Sequence, residues 1–164
     1  MSLTIVSSAI FIGSLVWKPN TYIPPEQVSI FKEQVQCLAE NVFYEAGVEN
    51  FEGKLAVAQV TINRANSGKF PGDLCKVVKQ KTSFNGITVC QFSWFCISKL
   101  PPKDKYRWEE SLVVAKKALT EPVAHDMLLK QNALYYHADY VNPGWNLVKV
   151  GQIGRHIFYK EKSK

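Results

Sequence analysis

Apolar residues recur at three- and four-residue steps through the first clearly periodic stretch of the chain, at Val35, Leu38, Val42 and Ala46. That spacing lines them along one side of an α-helix running from Ser29 to about Ala46, with Gly47 as its stop signal. A second helix is predicted from Gly53 to Ala65. Leu55, Ala58, Ile62 and Ala65 give it one apolar side and Val57 and Val60 another, so it belongs deep in the core. NSGKFPGD reads as a loop, and Asp73 is placed to cap a short helix through Lys79.

The pattern then changes. In SFNGITVCQFSWF, Asn85-Gly86 is a strong turn signal between aromatic and β-branched flanks, which predicts a small hairpin or extended loop. PPKDKYRWEESLVVAKKALTEP, bounded by prolines, predicts a helix with Trp108, Leu112, Ala115 and Leu119 facing inward. ALYYHADYVNPGW and IGRHIFYK read as strand-like segments around a Pro-Gly turn. The expectation is an α+β fold, mostly α with a small β part, and no internal repeat interrupts it.

The chain opens differently. Leu3 to Trp17 is apolar and precedes the first charged side chain, Lys18. It is shorter than the roughly 20 residues that span a bilayer, and it lacks the basic start of an export signal. An export or anchoring segment, with membrane contact through residues 3–17, stands beside a buried element of the domain as its reading. KPNTYIPPEQ follows with three prolines and reads as a linker. The expected organisation is therefore residues 1–28 as segment and linker, and 29–164 as one domain.

Composition narrows the class. A chain of 164 residues that is 46% hydrophobic and 21% charged is an ordinary globular domain. Twenty Lys and Arg against 14 Asp and Glu leave a net charge of +6, which favours an anionic partner such as nucleic acid, an acidic membrane face or a cell-wall polymer. Cys37, Cys75, Cys90 and Cys96 contain no CxxC pair, so a zinc ribbon is unsupported. Three disulfide pairings are formally open. Cys90 and Cys96 could close a small loop in an oxidising compartment, and four buried thiols are the alternative.

The stretch AENVFYEAGVENFEGKLAVAQVTINR holds Glu40, Glu45, Glu49 and Glu52. From Leu38 to Glu45 is seven helical steps, a net rotation of about −20°. Glu45 therefore continues the Leu38–Val42 stripe toward the core, whereas Glu33, Glu40 and Tyr44 fall on a face expected to be solvated. A carboxyl at the end of an apolar stripe loses water, which raises its pKa and fits it to donate a proton to a leaving oxygen. Glu49 and Glu52 follow the Gly47 break and are expected in surface or capping roles.

The longer strings LAENVFYEAGVENFEGKLAVAQVTINRANSGKFPGDLCKVV, CQFSWFC, LYYHADYVNPGW and VGQIGRHIFY, in that order from Cys37 to Tyr159, closely resemble the SleB-type cell-wall hydrolases. That family includes spore-cortex-lytic enzymes and related bacterial and phage lysins. The resemblance implies a lysozyme-like single domain that cleaves the β-1,4 bond between N-acetylmuramic acid and N-acetylglucosamine. It further implies a lytic transglycosylase leaving 1,6-anhydro ends, with one catalytic glutamate at a helix end. Tyr44-Glu45-Ala46 fills that place. Family versions often carry glycine between the tyrosine and the glutamate, a departure of one residue. Gln91 and Ser93, in the QFSW motif, and Tyr136 and His137, in the second, are the implied substrate contacts; Phe92 and Trp94 are better suited to the core. Asn63-Arg64 is expected to fix adjoining loops, and Gly154, Arg155 and His156 to form a backbone corner.

The expected partner is a peptidoglycan glycan strand, bound by a monomer in the periplasm or cell envelope. The role is that of an endolysin or a wall-remodelling enzyme. No metal or organic cofactor is implied. Against a nucleic-acid partner, the chain shows no zinc finger, RNA-binding motif or basic helix. A non-catalytic glycan-binding module, a hydrolytic muramidase with a second carboxylate, a Cys–His peptidase built on Cys37, and a zinc amidase built on His125, His137 and His156 are the rival readings. The last two lack a recognisable nucleophile or ligand pattern.

Overall fold

The computed structural model describes residues 23–97, 102–121 and 132–162. The apolar stretch 3–17 and His125 lie outside them. Among the described residues no helix is long and apolar enough to cross a membrane.

Helix α1 spans Pro25–Ala46. It begins four residues before the expected start, because Pro25 stands at the first helical position, where a missing N–H costs nothing. The proline pair that reads as linker is thus a helix start. Helix α2 runs Phe51–Asn66, opened by Asn50, whose side chain accepts from the Gly53 N–H at 2.9 Å. The short α3, Leu74–Val78, is capped as expected by Asp73, which accepts from the Lys76 N–H at 2.9 Å. Gln34 of α1 reinforces that cap, donating to Asp73 at 2.7 Å and accepting from the Leu74 N–H at 3.0 Å. A disulfide between Cys37 and Cys75 staples the same two helices.

Strands β1, Lys81–Phe84, and β2, Ile87–Cys90, form the antiparallel hairpin expected around Asn85-Gly86. Both turn residues have positive φ, 48° and 77°, which this tight turn requires and which asparagine and glycine tolerate. The one-turn α4, Trp94–Ile97, follows, tied back to the hairpin by the Cys90–Cys96 disulfide. Helix α5 covers Lys105–Thr120.

The helical core is built as the periodicity predicts. Leu38, Ala39 and Val42 of α1, Ala58 of α2 and Val114, Ala115 and Ala118 of α5 bury against one another, with Trp108, Leu112 and Leu119 packed beside them. The second side of α2, through Ala56 and Val60, meets Phe158 of the sheet. α2 is therefore the central helix, sandwiched between helices and strands. Lys54 on α2 is buried and pairs with Glu110 of α5 at 2.5 Å.

The remaining strands are β3, Tyr135–Ala138; β4, Val148–Ile153; and β5, His156–Lys160. They form an antiparallel sheet in the order β3-β5-β4. The Pro143-Gly144 turn does not join two paired strands, as expected from sequence. It lies in the connection before β4, and the hairpin turn falls instead at Gly154-Arg155. Gly151, where the register of β4 against β5 shifts, interrupts the alternation that would mark this strand in the sequence.

The disulfides yield a prediction. On loop-closure entropy, Cys37–Cys75, separated by 38 positions, contributes about 4 kcal/mol, and Cys90–Cys96, separated by 6, about 2 kcal/mol. Urea denaturation of the paired alanine variants should rank them in that order. Protein unfolded without reductant should show none of the four thiols; a full set would contradict both bridges.

Candidate active site

Glu45 sits in the last turn of α1, directly above the fully buried Leu38 and Val42, and is itself half-buried. From the sheet, Tyr136 of β3 donates its hydroxyl to Glu45 Oε2 at 3.0 Å. Burial pushes the Glu45 pKa above the ordinary carboxyl value; the Tyr136 hydrogen bond and the Arg64 charge work against that rise without cancelling it. Burial and the neighbouring carboxylate push the Tyr136 phenol well above its ordinary range, so it stays a donor. The pair is a carboxyl poised to hold a proton and a hydroxyl fixed in the donating sense.

Arg64 completes the electrostatics from the end of α2. Its side chain is buried, its Nε donates to the Leu134 carbonyl at 2.8 Å, and its guanidinium lies between the Phe70 and Phe92 rings, 5.2 and 5.0 Å from their centroids. It does fix the adjoining segment, as expected, because Leu134 leads into β3. Its charge also acts on both Glu45 and Tyr136.

One wall of the site is aromatic. Tyr44 stacks on Trp94 with centroids 4.5 Å apart, and Trp94 Nε1 donates to Asn41 Oδ1 at 3.1 Å. Asn41, fully buried, donates in turn to Thr61 of α2 at 3.0 Å, and Thr61 donates to the Val57 carbonyl. The face expected to be solvated is therefore covered around Tyr44 and Glu40. Tyr44 is half-buried, and burial raises the Glu40 pKa, while Glu33 is exposed. The chain folds α4 over that face, which helix periodicity alone could not reveal.

Gln91 and Ser93 are exposed and flank the buried Phe92 and the half-buried Trp94. The loop carrying them is fixed through its backbone: the Gln91 N–H donates to the Gln80 carbonyl at 2.9 Å, and the Ser93 carbonyl accepts from Cys96 and Ile97. His137 points away. It follows Tyr136 in the strand, so it faces the opposite side of the sheet, where it bonds the Tyr159 hydroxyl at 2.9 Å and packs against Trp145. The structure brings Glu45 and Tyr136 together and leaves His137 outside.

Glu52, exposed in the first turn of α2, suits the positive end of that helix. Glu49 departs from its expected surface role. Its side chain is only 8% exposed, and Oε2 accepts from the Arg155 N–H at 3.1 Å. The cysteines are all paired, so Cys37 is no nucleophile. Among the described residues no group of His, Cys, Asp or Glu is arranged to hold a metal ion. Asn41 is the site-forming residue that sequence reading passed over, although a polar residue inside the Leu38–Val42 stripe is a readable signal.

The Cell Wall Hydrolase family pattern matches residues 48–159, and the chain belongs to that family. It is 33% identical over 132 residues to the spore cortex-lytic enzyme of Oceanobacillus iheyensis, covering 79% of this chain and 42% of that one. The chain spans less than half the length of the curated relatives it matches. Two solved structures share its fold at 24% identity: the catalytic domain of the Bacillus cereus SleB protein, with TM-score 0.54 over 87% of this chain and 94% of that one, and that of the germination-specific lytic transglycosylase SleB from Bacillus anthracis, with TM-score 0.57 over 87% and 100%. The fold is the lysozyme-like α+β fold expected from sequence. Glu45 lies three residues ahead of the matched segment; what singles it out is its geometry.

Two results should follow from the buried carboxyl. Tyr136→Phe removes a hydrogen bond to the charged form, so Glu45 should keep its proton to still higher pH, read by carbon-13 NMR titration. Because the folded pKa lies above the ordinary 4.5, stability linked to this proton is present below that value and lost as pH rises through the folded pKa. Glu45→Gln should therefore be more stable than wild type at pH 7, with the difference shrinking toward pH 4 in urea denaturation.

Proposed function

We propose that the protein cleaves the β-1,4 bond between N-acetylmuramic acid and N-acetylglucosamine in peptidoglycan as a lytic transglycosylase. The observation that carries this reading is the half-buried carboxyl of Glu45, held by the Tyr136 hydroxyl with its pKa raised. Protonated Glu45 gives its proton to the glycosidic oxygen as the bond to C1 of the muramic acid breaks. The sugar's own 6-hydroxyl then bonds to C1, and the Glu45 carboxylate takes the proton that this hydroxyl releases. The glutamate ends as it began, the product carries a 1,6-anhydro ring, and no water is consumed.

A two-carboxylate hydrolase needs a second acid to act as nucleophile or to activate water. Glu49, the nearest in sequence, is engaged with the Arg155 N–H, and Glu52 is exposed on α2. The names of the relatives, spore cortex-lytic enzymes and a germination-specific lytic transglycosylase, agree with this chemistry. The net charge of +6 suits a wall polymer bearing carboxylates. Both disulfides suit action outside the cytoplasm, in the periplasm or cell envelope. Gln91 and Ser93 beside the aromatic wall are the proposed contacts for sugar hydroxyls and N-acetyl groups. The mechanism asks nothing of a metal or cofactor.

Digestion of purified peptidoglycan tests the proposal. Glu45→Gln keeps size and hydrogen bonding but cannot carry the proton, and should lower cleavage by about 10²–10⁴-fold. Glu52→Gln and Glu40→Gln should cost far less. Wild-type cleavage should fall as pH rises through the Glu45 pKa, and Tyr136→Phe should move that alkaline limb upward. Near-normal cleavage by Glu45→Gln would overturn the assignment.

A further inference from the structure

Glu49 is an acid removed from solvent that the proposed reaction does not use. It stands in the turn between α1 and α2, four residues after Glu45, yet its carboxylate is committed elsewhere. Oε2 accepts from the Arg155 N–H at 3.1 Å. The same oxygen occupies the space beside Gly154, where a Cβ would stand 2.0 Å away. Gly154 also has φ +56°, a conformation that side chains rarely adopt. The β4–β5 turn is thus shaped around this carboxylate. On its other side, Oε1 lies 3.9 Å from His156 Nδ1, with the two side chains only 8% and 11% exposed.

His156 begins β5 and carries the connection onward. Its ring meets the Tyr136 ring edge to face at 5.1 Å, and Phe158, two residues along the same strand, packs on Tyr136 at 5.8 Å. Tyr136 in turn donates to Glu45. An unbroken series of contacts therefore runs from Glu49 through the turn and His156 to Tyr136 and Glu45. It joins both ends of the α1–α2 turn to the sheet.

We propose that Glu49 is a positioning residue: it clamps the β4–β5 turn so that His156 braces Tyr136 with its hydroxyl aimed at Glu45. The inference rests on the reading of Glu45 as the acid, and it denies Glu49 the part of a second catalytic carboxylate. A carboxylate that activates water must reach water and have a free oxygen facing the substrate. This one is enclosed between a backbone N–H, a glycine and a histidine. The charged and titratable groups facing Glu45 are Tyr136 on β3 and Arg64 on α2. Those facing His156 are Tyr136, Glu49, Asp139 and His137, and burial holds His156 below its ordinary pKa, in the neutral form.

The experiment reads the Glu45 ionisation directly, by carbon-13 NMR of glutamate-labelled full-length chain, with the signal assigned by its loss in Glu45→Gln. Glu49→Gln keeps an oxygen for the Arg155 N–H and should leave the Glu45 titration at its wild-type position. Glu49→Ala releases the turn and should move it upward to the position found for Tyr136→Phe. The Glu49→Ala, Tyr136→Phe double variant should move it no further. Gly154→Ala, which displaces the carboxylate by its Cβ, should reproduce the Glu49→Ala shift. If Glu49→Ala shows no cooperative melt, Glu49→Asp, one methylene shorter, takes its place with the same expectation. An unmoved Glu45 titration in a folded Glu49→Ala or Glu49→Asp protein overturns the proposal. So does a loss of cleavage of about 10²-fold in Glu49→Gln with Glu45 titrating normally, since that marks a catalytic acid. The titration needs no substrate, so a wild-type protein inactive on peptidoglycan would refute the proposed function separately.

Discussion

A carboxyl group at the end of a buried helical stripe pulls in two directions: lost water favours the neutral form, and any donor nearby favours the charged one. In this protein the balance is set by one hydrogen bond across 91 positions of sequence, from the Tyr136 hydroxyl to Glu45. For that bond to form, α1 must end where it does, α2 must lie between α1 and the sheet, and β3 must present its even-numbered side chain inward. The rest of the fold meets those conditions. Arg64, enclosed by two aromatic rings and bonded to the Leu134 carbonyl, both aligns the entry to β3 and adds a fixed positive charge to the site.

Rigidity around the pair comes from linkages of different chemistry. The Cys37–Cys75 bridge and the Gln34–Asp73 cap hold α3 against α1, and the Trp94–Asn41–Thr61 series ties α4 to the two central helices through buried, satisfied polar groups. On the opposite flank, Glu49 and the Gly154 corner fasten the sheet to the turn that follows Glu45. Proton transfer of the proposed kind demands that the carboxyl stay in place while its protonation state changes twice. A site fastened on both flanks meets that demand.

Local periodicity carried the helices and their faces, and with them Glu45, because an α-helix repeats its geometry without outside help. Leu38 and Val42 are buried where the 3.6-residue spacing puts them. What periodicity could not carry was what packs against each face. Tyr44 sits on the polar side of α1, and it is Trp94, arriving from 50 residues away, that stacks over it. His137 lies on the opposite face of β3 from Tyr136, because neighbours in a strand face opposite ways, and nothing in the sequence alone says which of the two faces Glu45. Glu49 was not readable, because Gly47 breaks the helix and the partner that defines Glu49, the Arg155 N–H, lies 106 positions away.

The central claim is that one carboxyl and the sugar's own hydroxyl suffice, with no water entering the bond. Digesting peptidoglycan in oxygen-18 water and weighing the muramic-acid ends by mass spectrometry tests it most directly. The account predicts anhydro ends without the heavy isotope, from the first products onward. Reducing muramic-acid ends carrying oxygen-18 as the initial product would contradict it.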